Sequence, residues 1–176
     1  MTYRTLIRTA AVLGVSLGLA ACVTSAPPLK APVDSTTPAQ RMAAVDAVAA
    51  GADEKELAVQ PLRDAEIEDL RMTAQARRQA NDLAAAAEAL NQALLISEGD
   101  PSILQERAEI ALLQGDWARA ETLARKAVDL GSKTGPLCRR HWATIEQSRL
   151  ARGEKENAVS AHAQLEGCTV PGIKRY

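Results

Sequence analysis

Three cysteines and two histidines are the residues of this chain best suited to metal, redox or nucleophilic chemistry. Two cysteines lie near the histidines, as Cys138-x2-His141 and His162-x5-Cys168. These are the residue types of a Cys2His2 zinc site. They are also those of a thiolate–imidazole nucleophile pair, Cys138 with His141 or His162, and of a simple disulfide. A zinc site needs both histidines turned to one point. A nucleophile needs an orienting partner and an oxyanion donor, and the sequence shows neither. A disulfide needs only two helix ends that meet. Which chemistry applies depends on the elements carrying these residues, and on the third cysteine, Cys22.

Cys22 closes an export leader. Arg4 and Arg8 supply a positive start, and Ala10 to Ala21 is an apolar run broken by Gly14, Ser16 and Gly18. The run is shorter than the roughly 20 apolar residues that span a bilayer. It ends Leu19-Ala20-Ala21-Cys22, which resembles the lipobox of bacterial lipoproteins. The resemblance implies a signal peptide over 1–21, a diacylglycerol (with further acyl groups such as palmitate) on Cys22, and an anchor that several acyl chains make effectively permanent. Val23 rather than Asp comes next, which within that family implies the outer membrane, with the protein facing the periplasm. Residues 22–39 hold Pro27, Pro28, Pro32 and Pro38 among Ser, Thr and Ala, the composition of an extended tether. At about 3.1 Å per residue it spans on the order of 50 Å.

Residues 40–61 read as a helical approach, with Met42, Val45 and Val48 at i, i+3, i+6 and Gly51 as a stop. Residues 53–60 are expected to pack on the first helix pair of the domain beyond them. The rest of the chain is built on Gln114-Gly115-Asp116-Trp117, a turn between two amphipathic stripes: Leu104, Ala108, Ala111, Leu112 before it and Ala120, Leu123, Ala124, Ala127, Leu130 after it. This pattern is similar to the tetratricopeptide repeat (TPR), a helix–turn–helix unit of about 34 residues. One period earlier stand Asn81-Asp82-Leu83, then Ala86, Leu90, Ala93 and Ile96, after Leu70 and Ala74. One period later, Gly153-Glu154-Lys155 precedes Ala158, His162 and Leu165. That last unit is about four residues longer, a length assigned to the loop Gly131–Pro136, and it departs from the family at Glu146 and Leu165. The expected fold is an all-α, short TPR-like solenoid over 62–168, in units 67–100, 101–134 and 139–168, with a tail at 169–176. Trp117 and Trp142 are read as packing residues.

In an antiparallel helix pair Cys138 and Cys168 fall at meeting ends, and the periplasm favours oxidation, so a Cys138–Cys168 disulfide is expected. The set Cys138, His141, His162 and Cys168 is the zinc alternative. The family resemblance also implies a concave groove lined by the first helix of each unit. Carried over, the groove-facing places are Glu68, Arg71, Gln75 and Arg78, then Gln105, Glu109 and Leu112, then Arg140, Ala143 and Gln147. Arg71, Arg78 and Arg140 are suited to a partner's carboxylates.

Composition narrows the function classes. The chain carries 21 basic and 22 acidic residues, and loss of Arg4 and Arg8 with the leader moves it further toward acid. That is not a nucleic-acid profile. Phe is absent and much of the apolar content is Ala. There is no strand signal, Gly-rich phosphate loop or nucleophile elbow. The expectation is a lipid-anchored scaffold that binds a protein or peptide partner in the cell envelope, in a pilotin-like, assembly or cell-wall role. It is not expected to be an enzyme or to hold a cofactor. A Cys/His activity in the last hairpin and a purely structural spacer are the alternatives.

Overall fold

The computed structural model describes residues 34–50 and 64–169. The leader, Cys22, most of the tether, the segment 53–60 and residues 170–176 lie outside the described residues. The described residues are all-helical, with seven helices and no strand: α1 (Pro38–Ala50), α2 (Ala65–Gln79), α3 (Leu83–Ile96), α4 (Pro101–Leu113), α5 (Trp117–Leu130), α6 (Gly135–Ala151) and α7 (Lys155–Gly167). Helices α2–α7 form three antiparallel pairs stacked in sequence, a repeat solenoid.

Local chemistry sets each boundary. Within each pair the turn has three residues, and its left-handed position is Asn81, Gly115 or Gly153, with φ of 59°, 76° and 76°. Asn and Gly tolerate that region best among the residues, which is why these turns punctuate the sequence. In the first two pairs the side chain of the next residue caps the second helix, whereas Glu154 of the third makes no such bond. The Asp82 carboxylate accepts from Ala85 N–H and that of Asp116 from Arg119 N–H, each at 3.1 Å. Such caps contribute about 1 kcal/mol each. At the seam before α4, Asp100 accepts from Ser102 N–H at 2.8 Å and Pro101 occupies the first turn, where no donor is missed.

The core is made largely of small side chains. Ile67, Ala74, Ala86, Leu90 and Ala93 of the first pair close on Ile103 and Ile110 of α4. Ala108, Ala124, Ile145 and Ala161 fill the space between the second and third pairs. Alanine at these contacts lets the helix backbones approach closely, at the cost of little buried area per residue.

Three expectations need correction. The extra length of the third unit is not in the preceding loop. Four residues separate α5 from α6, as four separate α3 from α4, while α6 has 17 residues against 13 in α4. The added four residues therefore form one more helical turn of α6. His162 is exposed, and Ala161 takes the core place one residue earlier. Ile96 and Leu130 are not core: at the last turns of α3 and α5 they are 46% and 54% exposed.

The extra turn of α6 carries Cys138, which is joined to Cys168 at the end of α7 by a disulfide with a Cα–Cα distance of 5.7 Å. Gly135 N–H donates to Cys168 O at 2.9 Å beside it.

Candidate functional site

The first helices of the pairs, α2, α4 and α6, present their inward faces side by side. Of the predicted groove positions, Gln105 and Glu109 of α4 are buried, at 1% and 2% exposure. This corrects the expectation that they line an open groove. Glu109 is the centre of a charge chain. Its carboxylate accepts from Arg78 on α2 at 3.2 Å and from Arg140 on α6, through Nη2 at 3.0 Å and through a shorter contact with Nε. Arg140 also donates to Asp46 of α1 at 2.6 Å. Burial weakens the charge of Arg140, but the Glu109 carboxylate outweighs it and holds the guanidinium above its ordinary range.

Gln105 organises the polar floor beneath. Its amide N–H groups donate to Glu109 Oε1 at 3.0 Å and to Thr144 Oγ1 at 2.8 Å. Its carbonyl oxygen therefore faces His141 Nδ1, 2.7 Å away. That fixes the neutral imidazole with its proton on Nδ1. Nε2 is buried with no hydrogen-bond partner, and burial, aided by the charges of Lys133 and Arg140, lowers the His141 pKa to about 4.

The remaining groove arginine, Arg71, pairs with Glu106 and, at 2.8 Å, with Glu68. All three arginines expected to hold a partner's carboxylates thus already hold carboxylates of this chain. Gln75 is exposed, and among the described residues α1 is not packed on α2 and no other element covers the α2 side of the inward face around Arg71, Gln75 and Arg78.

The α4–α6 side is covered by α1, whose docking the sequence did not reveal. Met42 and Val45 are buried against Leu112 of α4 and Ala143 of α6, two of the predicted groove positions. A third, Gln147, accepts from Arg41 through its backbone oxygen at 3.2 Å and its side chain at 3.3 Å. The Arg41 guanidinium lies 5.7 Å from the Trp117 ring centre. Arg41 meets Gln147 while Asp46 meets Arg140, so α1 runs antiparallel to α6.

The cysteine–histidine group does not converge. Cys138 and Cys168 are tied to each other and offer no thiolate. His141 is engaged by Gln105, and the exposed His162 pairs with Glu146 at 3.2 Å. Among the described residues no group of three or more His, Cys, Asp or Glu is placed to hold a metal ion, and no helix is long and apolar enough to cross a membrane.

No family model and no curated protein matches the chain. Among solved structures it is similar to the globular C-terminal domain of Pseudomonas aeruginosa LpoP, with 30% sequence identity and a TM-score of 0.57. The match covers 60% of this chain and 99% of that one. With that identity across nearly the whole of the neighbour, the chain belongs to the same family as the LpoP globular domain.

Proposed function

We propose that this chain is a lipid-anchored, periplasm-facing TPR-type scaffold that holds another protein of the cell envelope. The observation that carries the reading is the likeness to the LpoP globular domain over 99% of its length, which supports a lipoprotein-like envelope protein. Leu19-Ala20-Ala21-Cys22 supports the anchor, and Val23 in place of Asp supports its outer-membrane address. The role is interaction rather than catalysis. The inward face is a layer of mutually paired charges, suited to exchanging ion-pair partners with another protein. The open α2 side, with Arg71, Gln75 and Arg78, is the first place for such a partner. Pilotin-like, assembly and cell-wall roles all fit this description.

Photocrosslinking in intact envelopes tests the reading. A crosslinker at Gln75 is expected to give a discrete protein adduct that is absent with the crosslinker at exposed Lys126, and Cys22→Ser is expected to release the chain from the membrane fraction. Equal adduct patterns at the two positions, or unchanged membrane fractionation of Cys22→Ser, would overturn it.

A further inference from the structure

Helix α1 lies across the positions that repeat geometry assigns to a bound helix. Leu112, Ala143 and Gln147 are predicted groove residues, and each is engaged by α1. Its burial is one-sided. Arg41, Met42 and Val45 are buried, whereas Ala43, Asp46 and Ala47 are exposed. Val45 lies four residues after Arg41 and three after Met42, the spacing of one helix face laid in a groove.

Two features separate α1 from an ordinary core helix. First, it encodes its own start. Thr37 N–H donates to Gln40 Oε1 at 2.8 Å and Gln40 N–H to Thr37 Oγ1 at 3.2 Å, a reciprocal capping box, with Pro38 in the first turn. It needs no neighbour to begin. Second, its docking is incompletely satisfied. Arg41 is 2% exposed, yet its main ionic partner is Asp34 of the same segment, and its Nε has no hydrogen-bond partner. Docking therefore buries the Arg41 guanidinium while Asp34 stays exposed, and the desolvation of that charge opposes the apolar gain from Met42 and Val45.

We infer that α1 is a resident ligand in cis, which an amphipathic helix of the partner displaces. Such a helix carries the α1 pattern: a basic residue, an apolar residue one place on, another three places further with an acid directly after it, and a third apolar residue three beyond the second, as in Arg41, Met42, Val45, Asp46 and Val48. Arg140 then exchanges Asp46 for the incoming acid while keeping Glu109. The site so opened joins the α2 side into one groove across all three pairs. The inference rests on the scaffold reading above but is tested without any envelope protein.

The probe is a fluorescent peptide of residues 34–50, added to the mature chain. Met42→Glu with Val45→Glu ejects the resident helix. The peptide is expected to bind this variant at least tenfold more tightly than the wild type, and Arg140→Ala in the same background is expected to weaken that binding severalfold. A second measurement, hydrogen exchange of the wild type, guards against a variant that fails to fold. There α1 amides are expected to exchange in a separate, faster group than those of α4 and α6. No peptide binding to a variant that keeps its helical content and cooperative melting would overturn the inference. So would α1 amides that exchange together with α4 and α6. Neither outcome bears on whether an envelope partner is captured at Gln75, so the two readings fail separately.

Discussion

His141 donates from Nδ1 to Gln105 Oε1 at 2.7 Å and leaves Nε2 buried without a partner. A second proton would put a charge where nothing accepts from it, and the folded pKa falls to about 4 from an ordinary 6.5. As pH falls, the unfolded chain takes up this proton first. Stability is therefore full above about pH 6.5 and is lost as pH falls toward 4. By pH 5 the loss is about 2 kcal/mol. Urea melts at pH 7.5, 6 and 5 should show that slope, and His141→Asn, which keeps a donor near the Nδ1 position, should flatten it. Equal slopes in both proteins would place the acid sensitivity elsewhere.

Glu109 sits between two arginines with almost no solvent to replace it. Glu109→Gln should cost about 2–4 kcal/mol, because Arg78 and Arg140 are left facing one another without their shared counter-charge. Arg71→Ala at the more open pair should cost about 1 kcal/mol or less. Denaturant melts of the two variants give the comparison, and similar losses would contradict the burial argument.

The Cys138–Cys168 crosslink closes a loop with a sequence separation of 30. Loop entropy alone predicts about 3–4 kcal/mol lost in Cys138→Ser with Cys168→Ser, and the loss should be greatest in α6 and α7. Thiol titration of the denatured mature chain before and after reduction should show two thiols appearing.

Gly131 and Gly153 should respond to alanine for different reasons. At Gly131 a Cβ would lie 2.8 Å from Ala127 O and 3.1 Å from Pro101 Cβ, while the backbone (φ −93°, ψ 179°) suits any residue. Overpacking of this kind costs about 1–3 kcal/mol. At Gly153 a Cβ meets nothing within 4 Å, but φ is +76°, which costs about 1 kcal/mol. Thermal melts should rank Gly131→Ala as the more damaging. The reverse order would mean that the α3–α4 seam yields.

Local chemistry made the helix pairs readable. Asn81-Asp82, Gly115-Asp116 and Gly153-Glu154 announce the same turn three times, because a left-handed residue is required in each, with a side-chain cap after it in the first two. The register within α7 was less legible, since Ala161 and His162 are neighbours and only packing decides which faces in. The extra turn of α6 was misplaced because Gly131, Ser132 and Gly135 look like loop, although Gly135 and Pro136 begin the helix. Helical spacing groups the groove residues by face, but whether a face is open depends on a segment distant in sequence, 94 residues from Arg140 and 106 from Gln147. Met42 and Val45 signalled an apolar stripe and could not name its partner.

The docking of α1 also decides where the molecule bears load. With Cys22 as the proposed anchor, tension arrives through Asp34, which precedes α1, and reaches the first turn of α1, where Arg41 meets Gln147. A pull there peels the helix from one end, breaking its contacts one after another rather than all together. The 13 residues of α1 would lengthen from about 1.5 Å each to about 3.3 Å each before the stack itself was strained. The same helix that fills the groove thus serves as slack, and a stretched tether would be one that leaves the groove vacant.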